Sequence, residues 1–199
     1  MKKLLGKIHY NAPVILTFTL ICVIVQAICT LPGTGWFHDI FMVYRRPFTN
    51  PKLYLGLFTH AIGHANWSHL IGNFTYILLL GPILEEKYGS HRMVAMMAFT
   101  AFITGLINVI FFPTTALLGA SGIVFMLIIL CSFTNTKKDG TIPLTLILVC
   151  ISYIGREVLN AFGNDDISQM GHILGGICGA VFGFYFSGMK NENSSVIPY

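Results

Sequence analysis

Three short stretches of this chain set polar groups into apolar surroundings, and each polar group has a chemical use. Ser121 lies in Gly119-Ala120-Ser121-Gly122, between residues with little or no side chain, so attack by its hydroxyl would meet little steric obstruction. His172 lies in Gly171-His172-Ile173-Leu174-Gly175. A serine hydroxyl is a poor nucleophile at neutral pH unless a base takes its proton, and imidazole titrates in the range that task needs. The third stretch carries His69 and Asn73, four residues apart and therefore on one face of a helix. Their ring and amide, with the backbone N–H groups of Ala120 and Ser121, could donate to an oxyanion developing on a carbonyl. No carboxylate is obviously available to orient His172, so the set reads as a Ser–His dyad and not a triad.

The elements that must position these groups follow from composition. Of 199 residues, 54% are hydrophobic and only 10% charged, which excludes a water-soluble domain. A helix needs roughly 20 apolar residues to cross a hydrocarbon core of about 30 Å. Uncharged segments recur at 12–31, 67–84, 93–112, 117–133, 142–162 and 167–189, the fifth interrupted near its end by Arg156 and Glu157, which suit interfacial anchors. The expectation is an all-α polytopic membrane protein: one domain over 1–199, a bundle of six transmembrane helices with a long first external loop. The first run is longer than the apolar region of a signal peptide and reads as a retained span. In the loop, residues 36–46 (WFHDIFMVYRR) suit an amphipathic piece lying in the outer interface.

Lys2, Lys3, Lys7, Lys87, Arg92, Lys137, Lys138 and Lys190 fall on one side if the segments alternate; Arg45, Arg46, Lys52 and Arg156 fall on the other. That asymmetry places both termini in the cytoplasm. The second, fourth and sixth helices then descend from the outer face, and each brings its polar group in at a similar depth, on the order of 10 Å for His172. Gly171, Gly175, Gly179 and Gly183 recur every four residues and form a smooth stripe for close helix approach, with Gly119 and Gly122 as a matching small surface.

Other functions find little support. The net charge of +4 is scattered and forms no patch for nucleic acid. Cys22, Cys29, Cys131, Cys150 and Cys178 sit in apolar stretches with no CxxC spacing, as small buried hydrophobes do. His60, His64 and His69 lack a nearby carboxylate or thiolate, so no metal site is expected. His60 and His64 read as supports for the loop and cavity rim, and the chemistry calls for no cofactor.

These residues resemble the rhomboid family: GASG as its GxSG motif, His69 and Asn73 as its HxxxN pair, and GHILGGICG as its histidine-and-glycine sixth helix. The resemblance covers about residues 57–183, and LGPILEEKYGS at 80–90 also matches, as a pattern of helix termination. It implies a serine-type intramembrane endopeptidase with Ser121 and His172 catalytic, oxyanion stabilisation from His69, Asn73 and the Ala120 and Ser121 backbone, and support from Gly119, Gly122, Phe125, Gly171 and Gly175. The substrates it implies are single-span membrane proteins entering from the lipid bilayer, in the inner membrane of a bacterial cell. A non-catalytic rhomboid-like protein that binds membrane helices is the alternative, and intact Ser121 and His172 argue against it. Family members often carry Trp-Arg where this chain has Leu55-Gly56, and tyrosine where it has Phe125.

Overall fold

A computed structural model describes residues 9–133, 144, 147–148, 151–152 and 166–189, with side chains of the last segment described at 170–186. Among these residues the chain is helical. In order come α1 (Pro13–Cys29), the short α2 (Gly35–His38) followed by a 3-10 turn (Asp39–Phe41), α3 (Pro51–Thr59), α4 (Trp67–Tyr88), α5 (Ser90–Phe111), α6 (Ser121–Ser132) and α7 (Asp166–Met189). Two helices, α4 and α5, are long and apolar enough to cross a membrane, with mean hydropathies of 1.2 and 2.1; α1, α6 and residues 170–186 are shorter apolar helices. Large apolar side chains such as Ile24, Leu79, Phe99 and Val181 point outward. Facing water they would be costly, whereas hydrocarbon accepts them.

Helices α1, α4, α5 and α7 cover most of the first, second, third and sixth apolar segments. The fourth differs: the helix begins at Ser121 and not at 117. Leu117 is held instead by paired backbone hydrogen bonds, its N–H to Val43 O at 2.8 Å and its carbonyl from Val43 N at 2.9 Å. Gly119 then takes φ +124°, which no helix can continue. Most of the expected fifth segment, 142–162, lies outside the described residues, as do Cys150, Arg156 and Glu157.

Glu85, 3% exposed, ties three helices together at one end of the bundle. Its carboxylate accepts the N–H groups of Val14 and Ile15, both at 3.0 Å, and the Ser90 hydroxyl at 2.7 Å. The free donors of the first turn of α1 are thereby satisfied by α4. The EEKYGS stretch thus joins helices as well as ending one.

The first loop is pinned around Asp39. Arg46 Nη2 lies 2.6 Å and Lys52 Nζ 2.8 Å from its carboxylate, and the Tyr44 hydroxyl donates at 3.1 Å. The Arg46 hydrogen bond, partly opposed by burial and aided by Lys52, holds that carboxyl well below the usual range. The loop's residues 36–46 comprise most of α2, the 3-10 turn and an extended piece. Helix α3 lies directly on the extended piece: a Cβ at Gly56 would stand 2.8 Å from Met42 O. No larger side chain fits there unless the extended piece shifts.

Helices α6 and α7 are in backbone contact along the glycine stripe. A Cβ at Gly175 would collide with the carbonyl of Gly122, one at Gly179 with that of Met126, and one at Gly183 with the Phe133 ring. Gly176, one residue off the stripe, faces only Ile129 Cγ1 at 3.7 Å. Gly179→Ala is expected to destabilise the folded state by about 1–3 kcal/mol through overpacking. Gly176→Ala should be neutral or stabilise it by up to about 1 kcal/mol through helix propensity. Thermal unfolding in detergent micelles measures both, and equal melting temperatures for the two variants would contradict this packing.

Candidate active site

Ser121 is the first residue of α6, and Ala120 before it supplies no side-chain cap. The N–H groups of that first turn have no intrahelical acceptor and stand at the positive end of the helix dipole. The residues leading into Ser121 are clamped to the segment between α3 and α4. Gly119 N–H donates to His60 O at 2.9 Å, and Ala120 N–H donates to His64 Nε2 at 3.4 Å.

Geometry assigns the proton on His64. Nδ1 lies 3.1 Å from Ile62 O, and a carbonyl can only accept, so Nδ1 carries the hydrogen and Nε2 offers the lone pair that Ala120 uses. By the same logic His60 Nε2 donates to Ala101 O at 3.0 Å. Both rings are buried, and burial pushes both pKa values down to about 4, for His64 with help from neighbouring His69. They are therefore neutral at pH 7, the state in which His64 can accept.

His69 sits in the first turn of α4, where Asn66 caps the helix by accepting the His69 N–H at 2.8 Å. Its ring fills the space that a side chain on Gly119 would need: a Cβ there would be 2.6 Å from His69 Cε1 and 2.9 Å from Nε2. Gly119 is thus required twice, for its positive φ and for the ring. The His64 and His69 rings meet edge to face with centroids 5.2 Å apart. One turn below His69, buried Asn73 has an Nδ2 donor with no hydrogen-bond partner among the described residues.

His172 arrives from α7 and lies flat on Phe125, ring centroids 4.3 Å apart and planes 5° from parallel. Phe125 is one turn after Ser121, so this stack and the Gly122–Gly175 contact together set His172 against the start of α6. Gly171 joins them, its carbonyl 3.4 Å from where a Gly122 Cβ would stand. The structure therefore groups Ser121, Phe125 and His172 on one helix pair, and sets His69 of α4 against Gly119 in the turn leading into α6. Of the two expected backbone donors, that of Ala120 is engaged by His64 and that of Ser121 begins the helix. What the residue pattern alone missed is the part taken by His64, although its HAIGH spacing and glycine neighbour mark a tightly packed histidine.

Residues 51–189 match the family profile of the Rhomboid domain, well over half of the chain. The chain belongs to the rhomboid family. It is 28% identical over 137 residues to the "Putative rhomboid protease YdcA" of Bacillus subtilis (strain 168), covering 68% of each protein. It is 25% identical over 123 residues to "Rhomboid-like protein 11, chloroplastic" of Arabidopsis thaliana, covering 61% of this chain and 40% of the plant protein's length. This rhomboid therefore spans well under half of the plant relative.

The two neutral histidines make the fold of this rhomboid acid-sensitive in a defined window. Unfolded, each ring returns to its ordinary value of 6.5. Their contribution is fully present above pH 6.5 and is lost as pH falls toward 4, by about 1.4 kcal/mol per unit for each ring. Replacing His64 with Gln should make the fall of melting temperature between pH 6.5 and 4.5 visibly shallower than in the parent; superimposable profiles would remove His64 from this account.

Proposed function

We propose that this protein is an intramembrane serine endopeptidase acting through a Ser121–His172 dyad. The observation that carries the proposal is the His172–Phe125 stack one turn from Ser121, on a helix pair packed backbone to backbone. Ser121 Oγ attacks the scissile carbonyl as His172 takes its proton. The negative charge then on the carbonyl oxygen is met by the Ser121 N–H, the His69 ring and the Asn73 amide. Collapse of the tetrahedral adduct breaks the C–N bond, and His172 returns the proton to the leaving amine, leaving an acyl ester on Ser121. Water, deprotonated by His172, then hydrolyses the ester and restores the serine. Phe125 fixes the plane of the imidazole by stacking.

In this reading the bundle has six spans with both termini in the cytoplasm, in the inner membrane of a bacterial cell. The substrates are single-span membrane proteins that reach Ser121 from the bilayer. The Rhomboid domain match and the relative named as a protease support it, as does Asn73, whose buried donor has a use once an oxyanion forms.

The purified chain should cleave a fluorogenic transmembrane peptide in detergent, and Ser121→Ala and His172→Ala should each abolish cleavage and fluorophosphonate labelling. Asn73→Ala should lower kcat by about 10- to 1,000-fold with little change in labelling stoichiometry. Labelling that persists in Ser121→Ala would move the nucleophile elsewhere. A parent that binds membrane helices but neither cleaves nor labels would establish the non-catalytic alternative.

A further inference from the structure

With the Ala120 N–H engaged, the backbone donor open to an oxyanion at the start of α6 is that of Ser121, and its direction is set by the peptide groups before it. A trans peptide is planar, with its N–H and C=O pointing opposite ways. The Ala120 carbonyl accepts the Val124 N–H at 3.0 Å, the first bond of α6. The Ser121 N–H, on the same peptide, therefore points back out of the helix toward its N-terminal end. The preceding peptide is held from the other side, where the Ala120 N–H donates to His64 Nε2 at 3.4 Å and Gly119 N–H to His60 O at 2.9 Å. The bond to His64 is long, so it fixes a direction more than it adds stability.

His64 is itself held on every side. Its ring is 1% exposed and stands against His69 and Phe74, with centroids 5.2 and 5.9 Å away. Nδ1 donates to Ile62 O at 3.1 Å, which leaves Nε2 as the acceptor. The residue before it is pressed onto the first loop, because a Cβ at Gly63 would collide with the Phe41 carbonyl. Ala120 is fully buried too, so an N–H that lost His64 would have no bulk solvent to turn to.

We propose that His64 is a positioning residue of the reaction: by accepting the Ala120 N–H it fixes the turn in which Ser121 offers its N–H to the oxyanion and its hydroxyl to His172. This deepens the reading of the site as a Ser–His dyad and rests on it. The groups that face the His64 ring are His69 and Phe74 of α4, Ile62 of its own loop and Ala120 before α6; of these, His69 alone titrates. A proton on Nε2 would set N–H against N–H and release the turn. Two histidines therefore bear on the acid side of the activity profile, His172 as base and His64 as acceptor.

The test compares three variants of the full chain in detergent, with the transmembrane peptide as substrate. Glutamine carries an amide oxygen near the place of Nε2 and can accept from Ala120. Asparagine is shorter and reaches only toward Ile62, and phenylalanine keeps a ring with neither hydrogen bond. His64→Phe and His64→Asn should each lower kcat by about 10- to 100-fold with KM nearly unchanged, because what is lost is needed at the transition state. His64→Gln should keep kcat close to the parent's at pH 7 and show a shallower acid limb, with one ring fewer to titrate. Parent-level kcat in His64→Phe, or a loss in His64→Gln as large as in His64→Phe, would overturn the proposal and leave the protease reading standing. A measurement on the parent needs neither cleavage nor a variant that folds: by NMR in micelles, the Ala120 amide should exchange with deuterium about five- to tenfold more slowly than the Ser121 amide. Equal exchange would mean that His64 holds nothing there.

Discussion

The architecture of the site depends on one contact, the meeting of the α6 and α7 backbones at Gly122 and Gly175. Inside a bilayer, helices gain nothing by hiding apolar surface from water, so association rests on dispersion and on how closely the backbones can approach. The glycine stripe provides that approach over three turns. It also leaves room for His172 and Phe125 to lie face to face at 4.3 Å, because no side chain holds the helices apart. A methyl group at Gly175 would separate the pair and break the stack with it. Precision in the site is thus a product of missing atoms.

A second set of constraints acts on the other side of Ser121. Gly119, His60, Ala120 and His64 form a clamp in which each hydrogen bond uses a backbone group that the turn into α6 would otherwise leave unsatisfied. Burial keeps both histidines neutral, and neutrality is what allows His64 to accept. The first loop is joined to this clamp through Val43 and Leu117 and held rigid by Asp39 with Arg46 and Lys52. The lead-in to Ser121 is built from residues far apart in sequence, whereas the placing of His172 depends on one helix pair.

This difference explains what could be read from the sequence. Ser121, His172, His69 and Asn73 were legible because hydropathy fixes depth and a four-residue spacing fixes a face; the glycine stripe was legible for the same reason. The start of α6 was not. Leu117 and Leu118 continue the apolar pattern of the helix, and only the distant Val43 and the positive φ of Gly119 end it. The Asp39 cluster and the three-helix role of Glu85 were equally hidden, since each joins groups whose nearness is decided by tertiary structure. Likewise, no local pattern distinguishes His64, which accepts an N–H from Ala120, from His60, which donates to a helix carbonyl.

The Val43–Leu117 pairing also orders events in time. It closes a chain segment of 74 residues (117 − 43), so its entropy cost is met only after α3, α4 and α5 have inserted and packed. Membrane helices form individually before they associate, and contacts of long sequence separation form late. The turn that presents Ser121 therefore takes its final form only once those helices are in place. Until then a newly made chain carries every residue of its site without the arrangement that gives them a use.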